Sequence, residues 1–206
     1  MRLRILTLLS LLGLAVPAVA GGQDFGVLNS AETINRGNFK LTGAPVVVFG
    51  KSGAVNTDDD VGVSVSGGYG FTDRFDLEGR AAFFDGVKFF GADAEYWFLK
   101  GRQVNVSGAA GFHVGNGDNR FDTTGIDLTF LASGRVAPRL ELYGGLDLAF
   151  NSINDDFIDG DYTTVHIVPG IEYRIAEDID LVAEFGIGLN DDSRHYLAGG
   201  LAFYFR

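Results

Sequence analysis

The sequence predicts an all-β fold, a transmembrane up-and-down antiparallel β-barrel of about ten strands behind a cleaved signal peptide. Three observations predict it. Long stretches alternate apolar and polar residues with period two, as a strand with one apolar face must. Between them recur three-residue turns held by two apolar residues: Phe71-Thr72-Asp73-Arg74-Phe75, Val136-Ala137-Pro138-Arg139-Leu140 and Ile175-Ala176-Glu177-Asp178-Ile179. Turns of this length join neighbouring segments as hairpins with their apolar faces in register. The third observation is the start of the chain, which reads as a secretory signal.

Arg2 and Arg4 give a basic opening, Ile5 to Val16 a short apolar core, and Ala18-Val19-Ala20 a small-residue cleavage site. The apolar run falls well short of the roughly 20 residues that a spanning helix needs. Residues 1–20 are therefore a signal peptide, 21–37 a short periplasmic segment, and 38–206 the barrel. Cleavage removes Arg2 and Arg4 from the 16 basic residues, leaving 14 against 27 acids and a net charge of −13. That balance argues against a nucleic-acid partner, whose phosphates require Lys and Arg. With no cysteine, disulfide and thiolate chemistry are excluded, and no cofactor is implied.

Ten strands are expected near 38–50, 61–72, 75–86, 89–100, 103–115, 126–136, 140–152, 162–175, 179–189 and 195–206. The clearest is 103–115, where Val104, Val106, Gly108, Ala110, Phe112 and Val114 share one face. In 179–189 the outward set is Ile179, Leu181, Ala183, Phe185, Ile187 and Leu189. Each is long enough for a tilted strand to cross the hydrocarbon layer. A closed barrel satisfies every backbone group in a membrane without a helix.

The connections alternate in character. Those at 51–60, 116–125, 153–161 and 190–194 are long and acidic, with Gly86-Val87-Lys88 a short exception. The other set comprises the three turns above and Lys100-Gly101-Arg102. Outer-membrane barrels keep short turns in the periplasm and long loops outside, and an even strand count returns both ends to the periplasm. Aromatic residues fit two interface girdles, with Phe39, Phe71, Phe75, Phe98, Tyr173 and Phe205 below and Phe49, Phe90, Phe112 and Phe150 above.

The last strand carries the most specific motif, alternating Leu197, Gly199, Leu201, Phe203 and Phe205 before Arg206. With it, residues 38–206 resemble the small bacterial outer-membrane β-barrel proteins, the porin-like barrel superfamily. The resemblance implies a bacterial outer-membrane location, with lipid and lipopolysaccharide as surroundings. It also implies that Leu201, Phe203 and Phe205 form the signal read by the barrel-insertion machinery. Pores, adhesins, enzymes and structural barrels share this fold, so it leaves function open.

Inward-facing charge is the main clue to function. Asp76, Glu78, Asp93, Glu95, Asp127, Glu141, Asp147, Glu172, Asp180 and Glu184 are the expected inward acids, against Lys40, Arg80, Arg135 and Arg174. The turns set Arg135 opposite Glu141 and Arg174 opposite Asp180, and leave Arg80 within reach of Asp93 or Glu95. Buried charges persist when paired, so a structural role is one reading. Yet acids outnumber bases, and many inward positions are glycine, including Gly68, Gly170 and Gly186. Unpaired carboxylates in a dry interior are costly, so water or protons must reach them. A narrow, wet, cation-preferring pore for small solutes fits these facts. The alternative is a non-conducting barrel displaying acidic loops, plugged by inward Trp97, Leu131 and Tyr143.

A rim-sited hydrolase ranks last. His113, His166 and His195 fall in the external third of their strands without a His-x-Ser motif, and read as polar rim residues in water; no enzyme activity is expected. The rim acids Asp155, Asp156, Asp159 and Asp161 suggest a weak divalent-cation site. Phe157 occupies a position that a calcium loop would need for a ligand.

Overall fold

A computed structural model describes residues 26–50, 58–117, 122–154 and 159–206. The expected signal peptide and rim residues Asp155 and Asp156 lie outside these residues. Strands β1 (Phe39–Val48), β2 (Asp60–Thr72), β3 (Phe75–Phe84), β4 (Val87–Lys100) and β5 (Asn105–Gly117) form one half of a closed barrel. β6 (Asp122–Ala137), β7 (Leu140–Asn154), β8 (Asp159–Ala176), β9 (Ile179–Gly188) and β10 (Tyr196–Phe205) form the other. Each strand pairs antiparallel with its sequence neighbours, and β1 closes on β10 with Phe39 opposite Phe205.

Alternation decides which way each side chain points. Leu128, Leu146, Leu148 and Ile167 lie on the outer wall, where neighbouring strands set them side by side, while Asp147 and His166 face inward. A barrel with its large apolar residues outside and its charges inside is built for lipid. No helix among the described residues is long and apolar enough to cross a membrane.

The short turns hold their register with a bulge. At four hairpins the ladder skips one residue on the strand entering the turn: Phe71, Phe98, Val136 and Ile175. All four skipped residues are exposed and apolar. The extra residue keeps apolar side chains outward on both sides of the turn and adds to the periplasmic girdle. Phe39, Tyr69, Phe71 and Phe75 continue that girdle as a run of rings 4.7, 4.9 and 6.2 Å apart. At the opposite end, β3 and β4 turn over Asp85 and Gly86 rather than residues 86–88. Gly86 supplies the left-handed backbone there, with φ of +72°.

The strands on the side of β6 to β8 run longest, 16, 15 and 18 residues. About 9–11 residues suffice to span the bilayer. Because β7 starts three residues after β6 ends, the surplus length rises at the loop end as a wall above the membrane.

One expectation is corrected. The 21–37 segment does not lie below the barrel, for its described part, Gly26 to Gly37, runs inside the lumen. Val27, Leu28, Ala31 and Ile34 are buried; the first three pack with Val46, Leu131, Val168, Val182 and Tyr196. Burial of these small apolar side chains gives the segment a reason to enter. The lumen offers acceptors for its backbone, which a run in water would have satisfied instead.

Candidate functional site

The site is the lumen and the segment within it. Leaving β1 downward at Phe39, the chain turns at Gly37, whose amide bonds to the carbonyl of Gly70 at 2.8 Å. It then climbs. The Ile34 amide donates to Asp76 Oδ2 at 2.6 Å, the Ala31 amide to Ser133 Oγ at 3.2 Å, and Asn105 Nδ2 to Glu32 Oε1 at 2.9 Å. Asn29 meets both Glu78 and the Lys40 ammonium.

At mid-height stands Glu184 on β9. Its carboxylate accepts the amides of Val27 at 2.6 Å and Leu28 at 2.7 Å, and the hydroxyls of Tyr143 at 2.9 Å and Tyr196 at 3.0 Å. Four donors on one buried carboxylate make strong, charge-assisted bonds. Both tyrosines lie across glycines on the next strand. Tyr143 faces Gly170 and Tyr196 faces Gly186, and a Cβ at either glycine would strike the ring.

Several other inward glycines likewise face large side chains rather than open space. Gly68 makes room for Ile34, Gly115 for Phe89 and Gly145 for Leu131. Small residues are matched by large facing ones, as close packing demands.

The inward charges differ in how they are partnered. Arg80 pairs with Asp93 through two contacts of 2.5 Å, both side chains largely buried, and its Nη1 also reaches the Gly26 carbonyl at 3.5 Å. Glu95 is directly opposite Asp76, one level below. The register sets Arg135 opposite Glu141 and Arg174 opposite Asp180, but these pairs are loose, at 3.9 and 3.5 Å. Arg135 also lies 3.8 Å from Glu32 of the segment. Asp147 accepts the hydroxyl of Thr129 at 2.7 Å, and Glu172 faces Glu141 across β7 and β8.

Two of the histidines are not in water. His113 is 1 % exposed, its Nδ1 against the Asp127 carboxylate at 2.9 Å and its Nε2 2.8 Å from Asn151 Oδ1. His166 is equally buried, its Nε2 2.8 Å from the Arg194 carbonyl and its ring edge against Tyr196. Only His195 is exposed, accepting the Gly188 amide at 3.0 Å. The three are held apart by separate partners rather than gathered into one centre. Among the described residues no three His, Asp or Glu side chains converge to ligate a bare metal ion.

Sequence reasoning missed Arg194. Its guanidinium bonds to Asp60 Oδ2 at 2.7 Å and to the carbonyls of Phe49 and Val48 at 3.1 Å each. It ties the loop before β10 to the outer ends of β1 and β2, across the seam that closes the barrel. Its only sequence signal was an arginine within an acidic loop.

Residues 6–203 match the family described as outer membrane protein beta-barrel domain. No curated protein matches the chain in sequence. In structure it is similar to an outer membrane channel from Pseudomonas putida F1, with a TM-score of 0.59 and 11 % identity over 86 % of this chain and 98 % of that one. It is less similar to the outer membrane protein OprG from Pseudomonas aeruginosa, with a TM-score of 0.44 and 14 % identity over 86 % and 100 %. At such identities the likeness speaks to the barrel alone.

Proposed function

The chain belongs to the outer membrane protein beta-barrel domain family and is an integral barrel of the bacterial outer membrane, and we propose that it is a narrow, cation-preferring conduit held closed by its own N-terminal segment. One observation carries the reading. A segment bound by hydrogen bonds to Glu184, Asp76 and Ser133 fills a lumen whose inward acids outnumber its bases. Acids at several levels, with few bases to answer them, attract cations and repel anions along a narrow path. Withdrawing the segment would expose those acids and the donors that now face it.

The closed lumen also favours a second reading, a barrel that never conducts and serves as a surface scaffold. Apolar packing of Val27, Leu28 and Ala31 supports it. Both readings assign the barrel no catalytic role.

A tether separates them. A Cβ at Gly26 would stand 3.4 Å from that of Ala198, close to the roughly 3.5–4.5 Å of a disulfide. It would also sit 3.0 Å from Glu184 Oε1 on a left-handed backbone that strains any side chain, so Gly26→Cys alone is the control that must stay silent. The chain has no cysteine to interfere. Gly26→Cys with Ala198→Cys is expected to be silent in planar bilayers when oxidised and to pass small cation-selective currents when reduced. Glu184→Gln should conduct more often than wild type. Silence of reduced, folded protein and of Glu184→Gln alike would leave the scaffold reading.

A further inference from the structure

Below Glu184 the lumen widens toward the periplasm into a cavity of about 190 Å³. One wall is the inner face of β3 and β4, carrying Asp76, Glu78 and Glu95; the other is the climbing segment, with Asn29 and Thr33. Lys40 is the cation nearest these acids, and its ammonium is shared with Asn29 Oδ1. Arg80, one level up, is already committed to Asp93. Arg174 and Arg206 also line the cavity, yet with Lys40 they make three bases against eight acids, so acids are in surplus.

One further observation points to a ligand. Glu95, only 7 % exposed, has the buried Ser107 hydroxyl as its side-chain hydrogen-bond partner, so it is the facing wall that is left unsatisfied. Thr33, 5 % exposed and on the facing wall, has an unpartnered Oγ1. Both line the cavity. A buried hydroxyl without a partner is costly, and one that lines a polar cavity opposite three acids calls for a partner there. A partner with positive charge would also answer the surplus.

We propose that this periplasmic cavity binds one hydrated divalent cation, held by Glu95, Asp76 and Glu78 with the Thr33 hydroxyl completing its surroundings. The acids do not converge to ligate a bare ion, so water stands between ion and protein. The cavity has ample room, since one water needs only about 10–15 Å³ of such space. Oxygen ligands and retained waters suit calcium or magnesium. Because Thr33 and Asn29 belong to the segment, a bound ion bridges segment to wall and adds to closure.

This site deepens the conduit reading and rests on it for its role, yet its detection needs no open pore. The test is calorimetric titration of the full barrel, folded in detergent, with calcium chloride in potassium chloride buffer. One saturable site per chain is expected, weakened at least tenfold in Glu95→Gln and several-fold in Thr33→Val. Asp192→Asn, on the exposed external loop, should titrate as wild type. If Glu95→Gln fails to fold, Thr33→Val decides alone, since it keeps every carboxylate and nearly the same volume. Absence of saturable heat in wild type would overturn the site and leave protons to neutralise the wall. So would equal binding by both cavity variants, or binding lost in Asp192→Asn. A barrel that binds calcium but never conducts would sink the conduit alone, and one that conducts without calcium binding would sink the site alone.

Discussion

The Glu184 carboxylate takes the amide of Val27 at 2.6 Å, joining residues 157 positions apart at the middle of the barrel. With Leu28 on its other oxygen, it anchors the segment by its backbone rather than by any one side chain. Substitutions of Val27 or Leu28 would leave these bonds intact. Substitution of Glu184 would not.

Glu184→Gln is therefore expected to loosen the segment. A neutral amide keeps one acceptor but loses the charge that strengthens four bonds, a loss of about 1–3 kcal/mol. At about 1.4 kcal/mol per tenfold, hydrogen exchange at the Val27 and Leu28 amides should speed up by about ten- to a hundredfold. Exchange of amides within β6 and β7 should stay as it was. Unchanged protection at Val27 would mean that packing against Val182 and Tyr196 holds the segment by itself.

Two arginine variants should differ sharply in cost. Arg80 makes two 2.5 Å contacts to Asp93 in a largely dry interior, so Arg80→Ala strands a carboxylate, at about 3–5 kcal/mol. The Arg135 side chain is 51 % exposed and only grazes Glu141 at 3.9 Å, so Arg135→Ala should cost under about 1 kcal/mol. Register alone would have ranked them the other way, since Arg135 is directly opposite Glu141 while Arg80 reaches Asp93 on the diagonal; the wetness of the periplasmic mouth reverses the order. Urea titration of both variants in detergent or lipid measures the difference, and equal midpoints would refute it.

The lipid-facing wall gives a depth-dependent prediction. Leu146 lies beside Phe130 and Ile167 near the middle of the outer wall, while Val61 is one residue from the external end of β2. Leu146→Arg should cost about 2–4 kcal/mol and Val61→Arg about 0–1 kcal/mol, because an arginine near the interface reaches water. Folding titrations into bilayers test the order, and reversal would misplace the membrane on the barrel.

Strands and turns were legible because their signals are local. Period two fixes the face, and three residues between Val136 and Leu140 fix the register, whatever the rest of the chain does. All ten expected strands have counterparts, with ends differing by a few residues. The segment from Gly26 to Gly37 carries no such period, and its bonds run to β3, β6 and β9. Glu184 was legible as an inward acid, but its four donors come from three distant places. The inward glycines were read as space. Only the register reveals that Gly170 lies under Tyr143 and Gly186 under Tyr196.

Those two glycines supply the final prediction. Gly170→Ala and Gly186→Ala add one methyl each, on strands where alanine is no worse a strand former than glycine. Local backbone preference thus predicts a neutral or slightly stabilising change. Packing predicts the opposite, because each new Cβ would fall within the ring of Tyr143 or Tyr196 and push its hydroxyl away from Glu184. Overpacking of this kind costs about 1–3 kcal/mol. Each variant should therefore lower the unfolding midpoint and also speed exchange at Val27 and Leu28, though neither residue touches the segment's amides. Pairing Gly186→Ala with Tyr196→Phe removes the hydroxyl whose bond the methyl disrupts, so the two effects on exchange should add to less than their sum. Full additivity, or a midpoint raised by either alanine, would show that the tyrosines do not hold Glu184 in place for the segment.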